Sequence, residues 1–356
     1  MMKRLTLGLL LVLVVTFVFA CNKKEDTGAV QPDDPPEEVV EKTEPEPEPK
    51  PEPEPEEEVF ENQFPLTGIG TNEDVDYRAF GVMIENSRSA RPQTGLYQAD
   101  LVYEVLSEGT ITRLLAFYHS EKPEVIGPVR SARDYYINLN NGYNGIYVSA
   151  GGSPQAFAMI QNRQVDHIDG LAYDGRYLWR SSERRAPHNM YTSYNDLLKA
   201  AEHAGHALIT PVPSLTFFDD ESIIGGDEAL EVTINYGSST NNVVYRYDQE
   251  LESYIRHVGG EKIVDYKEEE IPVTTDNLFI VEMSHRVIDN VGRRAIDITS
   301  GGNALLVQNG VYQYVDWENI DGQILPVKDG ERLNFVQGKT WINVVPNLDQ
   351  SVNITK

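Results

Sequence analysis

Ten arginines but a single lysine, Lys122, fall between residues 86 and 190. Guanidinium groups bind planar carboxylate or phosphate bidentately, a geometry that an ammonium does not offer. Arg130 and Arg133 flank Ser131 in VIGPVRSARD (125–134), where a helix is expected to start. A helix N-terminus already carries about half a positive charge, so cations there cost a few tenths to about 1 kcal/mol unless an anion lies between them. A second junction, SAGGSP (149–154), puts Gly151, Gly152 and Ser153 at another helix start, where small residues let backbone N–H groups approach a ligand closely. Arg91 in ENSRSARPQTG (85–95) and Arg113 in ITRLLAFYH (111–119) complete a candidate anion-binding set. Ten acidic residues share the window. Internal ion pairs, with Glu104, Glu108 and Asp134 as partners, are therefore the competing use of the same charges.

Acid–base chemistry has fewer candidates. Glu104 or Asp134 could act with His188, beside Asn189 in the loop RRAPHNMYTS (184–193), with Arg130 stabilising developing negative charge. The plainer readings are a Glu104–arginine pair and a buried His188 bonded to a backbone carbonyl. No G-x-S-x-G, H-E-x-x-H or paired-cysteine motif is present. His167-Ile168-Asp169 supplies too few ligands for a metal. Neither a metal site nor a cofactor is expected.

The elements that must position these residues read as follows. AFGVMIEN (79–86), DLVYEVLSE (100–108), ITRLLAFYH and GIYVSA (145–150) are expected strands, the second and third joined by a hairpin at Gly109-Thr110. Helices are expected from Ser131 to 141, from Ser153-Pro154 to about Arg163, and from Tyr194 to Ala204 between Ser193 and Gly205. Parallel neighbouring strands would bring both Arg and Gly junctions to one sheet edge, where open α/β sheets place ligands. After about residue 210 the pattern turns to alternating and β-branched runs, with a two-residue hairpin signal at Asn309-Gly310. The expected class is α+β: a mixed α/β domain over 62–209, then a mostly antiparallel β domain over 210–356.

The N-terminal part addresses location. Lys3 and Arg4 precede the apolar run Leu5–Ala20, shorter than a membrane span needs, and Cys21 follows at once. Residues 1–20 read as a signal peptide, and Cys21, the sole cysteine, as a lipidation site on the outer face of the bacterial cell membrane. Two acyl chains suffice for stable attachment to the lipid bilayer. Residues 22–61 carry −12 of the formal charge of −26 and nine prolines, so residues 21–61 read as a lipidated, disordered Glu/Pro-rich stalk. Residues 191–356 carry −14. An acidic chain is a poor nucleic-acid binder, because phosphate neutralisation drives that binding.

Val18-Phe19-Ala20-Cys21 resembles the lipobox of bacterial lipoproteins. The order of ENSRSARPQTGLYQADLVYEVLSEGTITRLLAFYH, IGPVRSARDYYINL, YVSAGGSPQA and RRAPHNMYTS resembles the YerB-like family of bacterial lipoproteins. The run from Ala304 through Asp316-Trp317 to Gly338-Lys339-Thr340-Trp341-Ile342 is similar to that family's C-terminal domain. The resemblance implies an anchored protein outside the membrane, of mixed α and β structure, and supplies no reaction. The combined expectation is a non-catalytic binding or scaffold module, with a cell-wall polymer or envelope protein as candidate partner. The alternative is an envelope hydrolase or transferase.

Overall fold

The computed structural model describes residues 60–219 and 224–356. Cys21, the signal segment and the stalk up to residue 59 lie outside the described residues.

Sixteen principal strands are numbered here in chain order. The first five are β1 (Phe80–Glu85), β2 (Leu101–Glu108), β3 (Ile111–Tyr118), β4 (Ile146–Ser149) and β5 (His167–Asp169). Then come β6 (Glu231–Ile234), β7 (Val243–Asp248), β8 (Ser253–Val258), β9 (Glu261–Lys262) and β10 (Asn277–Glu282). The last are β11 (Gly302–Gln308), β12 (Val311–Ile320), β13 (Gln323–Lys328), β14 (Glu331–Arg332), β15 (Thr340–Val345) and β16 (Val352–Thr355). Helices α1 (Asp134–Asn141), α2 (Pro154–Gln161) and α3 (Tyr194–Ala204) accompany the first five strands.

One large sheet runs β14-β13-β12-β11-β10-β15-β2-β3-β1-β4-β5. A smaller sheet runs β9-β8-β7-β6-β16. The large sheet is mixed. β15 lies parallel to both β10 and β2, and β4 lies parallel to both β1 and β5. The fold is therefore of the α+β class. After the expected division near residue 210 the described residues hold one further helix, the single turn Leu348–Ser351. The hydrogen bonding does not break at the division, because β15, from near the C-terminus, pairs along β2 from Leu101 to Val105.

Strand alternation explains the layering. Val102 and Leu106 of β2 and Trp341 of β15 face an apolar cluster shared with Tyr245 and Tyr254 of the smaller sheet. Leu101, Tyr103 and Val105 face the opposite way, against Tyr136 of α1 and Trp317 of β12. The smaller sheet thus covers part of one face of the large sheet, while α1 covers part of the other.

Local signals hold at most joints. Ser193 caps α3 by accepting from the Asp196 amide, and Gly205 ends it at φ 74°. Ser153 caps α2 through the Ala156 amide, with Pro154 in its first turn. Asn309 and Gly310 both take positive φ, 48° and 72°, as a tight hairpin requires. Helix α1 departs from expectation. It starts at Asp134 with Arg133 as an N-cap that makes no side-chain bond, while Ser131 Oγ donates to the Ala150 carbonyl at 3.1 Å. A contact to the neighbouring junction has displaced the local cap.

The end of α1 packs against the β12–β13 turn. A Cβ at Gly142 would stand 2.3 Å from the Gly322 carbonyl. Gly142→Ala should lower stability by about 1–3 kcal/mol through overpacking, read as a lower urea midpoint at unchanged slope.

Candidate functional site

β1, β2 and β4 run in the same direction, so their C-terminal ends share one sheet edge. Both expected junctions meet there. Ala132 bridges Gly152, the Ala132 amide donates to the Gly151 carbonyl at 2.9 Å, and the Ala150 amide donates to the Arg130 carbonyl at 2.9 Å. Ser153 joins the same ladder, its amide donating to the Ala132 carbonyl at 3.1 Å. Arg113 arrives from the start of β3 and donates to the Ser131 carbonyl at 3.4 Å.

The arginines converge, but their own carboxylates meet them. Arg113 pairs with Glu108 at 3.0 Å, and Arg133 pairs with the other oxygen of the same carboxylate. Arg130 pairs with Glu85 and donates to the Pro187 carbonyl at 3.2 Å. An open cleft of unpaired guanidiniums is thus corrected to a ledge of part-compensated ones. Two buried arginines share Glu108, and the Nε atoms of Arg113 and Arg133 are buried with no hydrogen-bond partner. Burial pulls the Arg133 pKa down, in spite of Glu108 beside it. The amides of Gly151 and Gly152 have no acceptor among the described residues.

Arg91 belongs elsewhere. It reaches the Thr240 carbonyl at 2.8 Å and Asn241 Oδ1 at 3.2 Å in the second half of the chain.

Glu104 does not take part in an acid–base grouping with His188. Glu104 is fully buried (0 % exposed) between the two sheets. Its Oε1 accepts from Thr112 Oγ1 at 2.7 Å and Asn86 Nδ2 at 3.0 Å. Its Oε2 accepts from Asn343 Nδ2 at 2.9 Å and pairs with Arg256 at 2.8 Å. With every lone pair engaged, this carboxylate is a structural ion. His188 contacts Ser89 Oγ at 3.2 Å, on a neighbouring loop. Asn189 is buried and accepts from Arg180 at 3.2 Å. Asp134 opens α1 and makes no ion pair among the described residues. Glu104 and His188 do not meet, so the Glu104 form of the expected acid–base pair is not formed.

Sequence reasoning missed Glu85 and Arg256. Arg256 had a readable signal, since Tyr254, Arg256 and Val258 share one face of a strand and the two flanking residues are apolar and buried. Arg256 is only 1 % exposed, stacks over Trp341 at 4.3 Å and donates to the Tyr245 hydroxyl at 2.5 Å.

With this fold and edge in view, comparison places the chain in a class. A family described as "Protein of unknown function (DUF3048) N-terminal domain" matches residues 66–207, and its C-terminal domain matches residues 232–342. The chain belongs to this YerB-like family. It is 45% identical, over 288 residues, to the protein named "Putative lipoprotein YerB" of Bacillus subtilis (strain 168), covering 80% of this chain and 86% of that one. The crystal structure of YerB protein from Bacillus subtilis superposes with a TM-score of 0.78 at 43% identity, covering 83% of this chain and all of that one.

Two measurements test these assignments. Arg256→Ala leaves Glu104 buried without its cation and should cost about 3–5 kcal/mol. The double change Glu104→Gln with Arg256→Met removes both charges while keeping a polar partner at position 104 and should recover part of that loss, which a double-mutant cycle in urea reads directly. At the sheet edge, His167 bonds Ser149 Oγ at 2.9 Å, and burial lowers its pKa to about 4. The folded state thus resists protonating a ring that protonates near pH 6.5 when unfolded. His167 should contribute stability that is complete above pH 6.5 and falls away towards pH 4, on the order of 2 kcal/mol after screening at its exposed side. Asp100, raised to about 6 by burial, contributes in the opposite sense between pH 4 and 6. The readout is therefore the difference between the parent and His167→Asn, which should show less stability loss on acidification.

Proposed function

We propose that this chain is a lipoprotein, tethered through Cys21 to the outer face of the cell membrane, whose folded part is a non-catalytic binding module for an anionic envelope ligand. The name of the Bacillus subtilis relative and the Lys-Arg, apolar run, Cys21 order of the N-terminus support the anchor. The stalk would hold the domain away from the bilayer. Among the described residues, no helix is long and apolar enough to cross a membrane.

One observation carries the binding reading: Arg113 and Arg133 converge on the single carboxylate of Glu108. Two guanidiniums against one carboxylate leave a surplus positive charge in a largely dehydrated place. Beside it lie the free amides of Gly151 and Gly152, at the carboxyl edge of parallel strands where ligands of open α/β sheets bind. An anionic group seated there would complete the charge balance. A cell-wall polymer or the acidic surface of an envelope protein supplies such groups.

The test sets two substitutions against each other in pulldowns with anionic wall fragments. Arg133→Gln should weaken capture about tenfold, the effect of losing one charge-assisted contact. Glu108→Gln frees both guanidiniums and should strengthen capture, with a steeper loss on adding salt. Arginines with a purely internal role would give unchanged or reduced capture in both variants.

A further inference from the structure

We propose a second anion site in this chain: a phosphomonoester pocket of about 280 Å³, enclosed by the loop carrying Arg88 and Arg91, the turn at Thr240, and the β8–β9 hairpin with Gly259, Glu261 and Lys262. It goes beyond the sheet-edge reading, since Arg113, Arg130, Arg133 and Glu108 do not line it.

The charge count identifies the ligand. Three cations, Arg88, Arg91 and Lys262, face one carboxylate, Glu261. Arg88 and Lys262 are exposed, and neither makes an ion pair among the described residues. The surplus comes from Arg88 and Arg91 of the arginine-rich stretch, which are set against a second half, residues 191–356, whose formal charge is −14. A phosphomonoester carries about −1.5 to −2 at neutral pH and neutralises that surplus. A single carboxylate would leave one charge over.

The donors suit the same group. Arginine offers a planar fork to phosphate oxygens, and lysine a mobile point charge. Arg91 has its Nη2 fixed on the Thr240 carbonyl and Asn241, but its Nε is buried without a hydrogen-bond partner. Its pKa is lowered by burial first and by Arg256 next, as expected for a guanidinium short of counter-charge.

The walls set the size. A Cβ at Gly259 would lie 2.9 Å from the Thr240 carbonyl, so any larger residue would push the two turns apart. A cavity of this volume falls just below the usual range for drug-sized ligands, about 300–1,000 Å³. It suits a phosphate with a short polyol rather than a nucleotide. Such a group could reach the pocket free, on a polymer end, or as a lipid headgroup.

The experiment titrates the intact protein with glycerol phosphate, followed by ³¹P NMR. A second arm uses phosphatidylcholine vesicles with and without phosphatidic acid. The parent should bind saturably in the first arm. Arg88→Gln and Lys262→Gln should each weaken binding about tenfold with urea midpoints unchanged, since both side chains are exposed. Arg133→Gln should leave it unaltered. Phosphatidic-acid-dependent capture that both pocket substitutions abolish would support the pocket equally and assign the phosphate to a lipid. The proposal is overturned if neither arm shows saturable binding, or if the Arg88 and Lys262 substitutions have no effect. It is also overturned if Arg133→Gln removes binding equally, which would place the anion at the Glu108 edge.

Discussion

A buried carboxylate between two sheets is the constraint on which the rest of this structure depends. Taking Glu104 and Arg256 out of water costs several kcal/mol per ion, and attraction alone repays that only with good geometry and further hydrogen bonds. Here Thr112, Asn86 and Asn343 supply the remaining donors, and Trp341 and Tyr245 flank the guanidinium. Asn343 stands directly opposite Glu104 in the β15–β2 ladder, and Tyr245 opposite Arg256 in the β7–β8 ladder. The network therefore ties central strands of both sheets to one lateral position. A slip of one residue in any of these strands would turn its charged or amide group away and leave the others unpaired.

The same residue types behave differently a few strands away because the numbers of charges differ. Between the sheets, one arginine meets one carboxylate, and the account closes. At the carboxyl edge, Glu108 is shared by Arg113 and Arg133. In the pocket near Gly259, three cations meet Glu261 alone. An acidic chain thus keeps small regions of positive surplus, each fixed by backbone contacts: Arg113 by the Ser131 carbonyl and Arg91 by the Thr240 carbonyl.

Much of the architecture was legible because its signals are local. Ser193 and Gly205 bracket α3, and Asn309-Gly310 turns β11 into β12, since each needs only neighbours in the chain. The two junctions meet, but not by the expected route: β3, the strand before Arg130, runs antiparallel to β4, and the chain after it returns alongside β1 through the Ile84–Val129 bridge. What escaped notice depends on distant partners. Ser131 gave up its expected cap for the Ala150 carbonyl. Strand β13 carries Pro326, which argues against a strand in sequence, yet it lies just beyond the residues that pair with β14, where its carbonyl accepts from the Leu333 amide at 2.9 Å. The Glu104–Arg256 pair joins residues 152 positions apart, and periodicity could show that Arg256 sits on an apolar face but not which acid awaits it.

The place of β15 has a consequence for biosynthesis. This strand is made long after β2, yet it lies between β10 and β2 in the middle of the large sheet. Until it emerges, the earlier strands have no means of completing that seam, and β2 presents an unpaired rim open to mispairing. Maturation of the sheet is thus deferred until Thr340–Val345 has been made, and any truncation upstream of Thr340 would leave the two halves without their shared keystone.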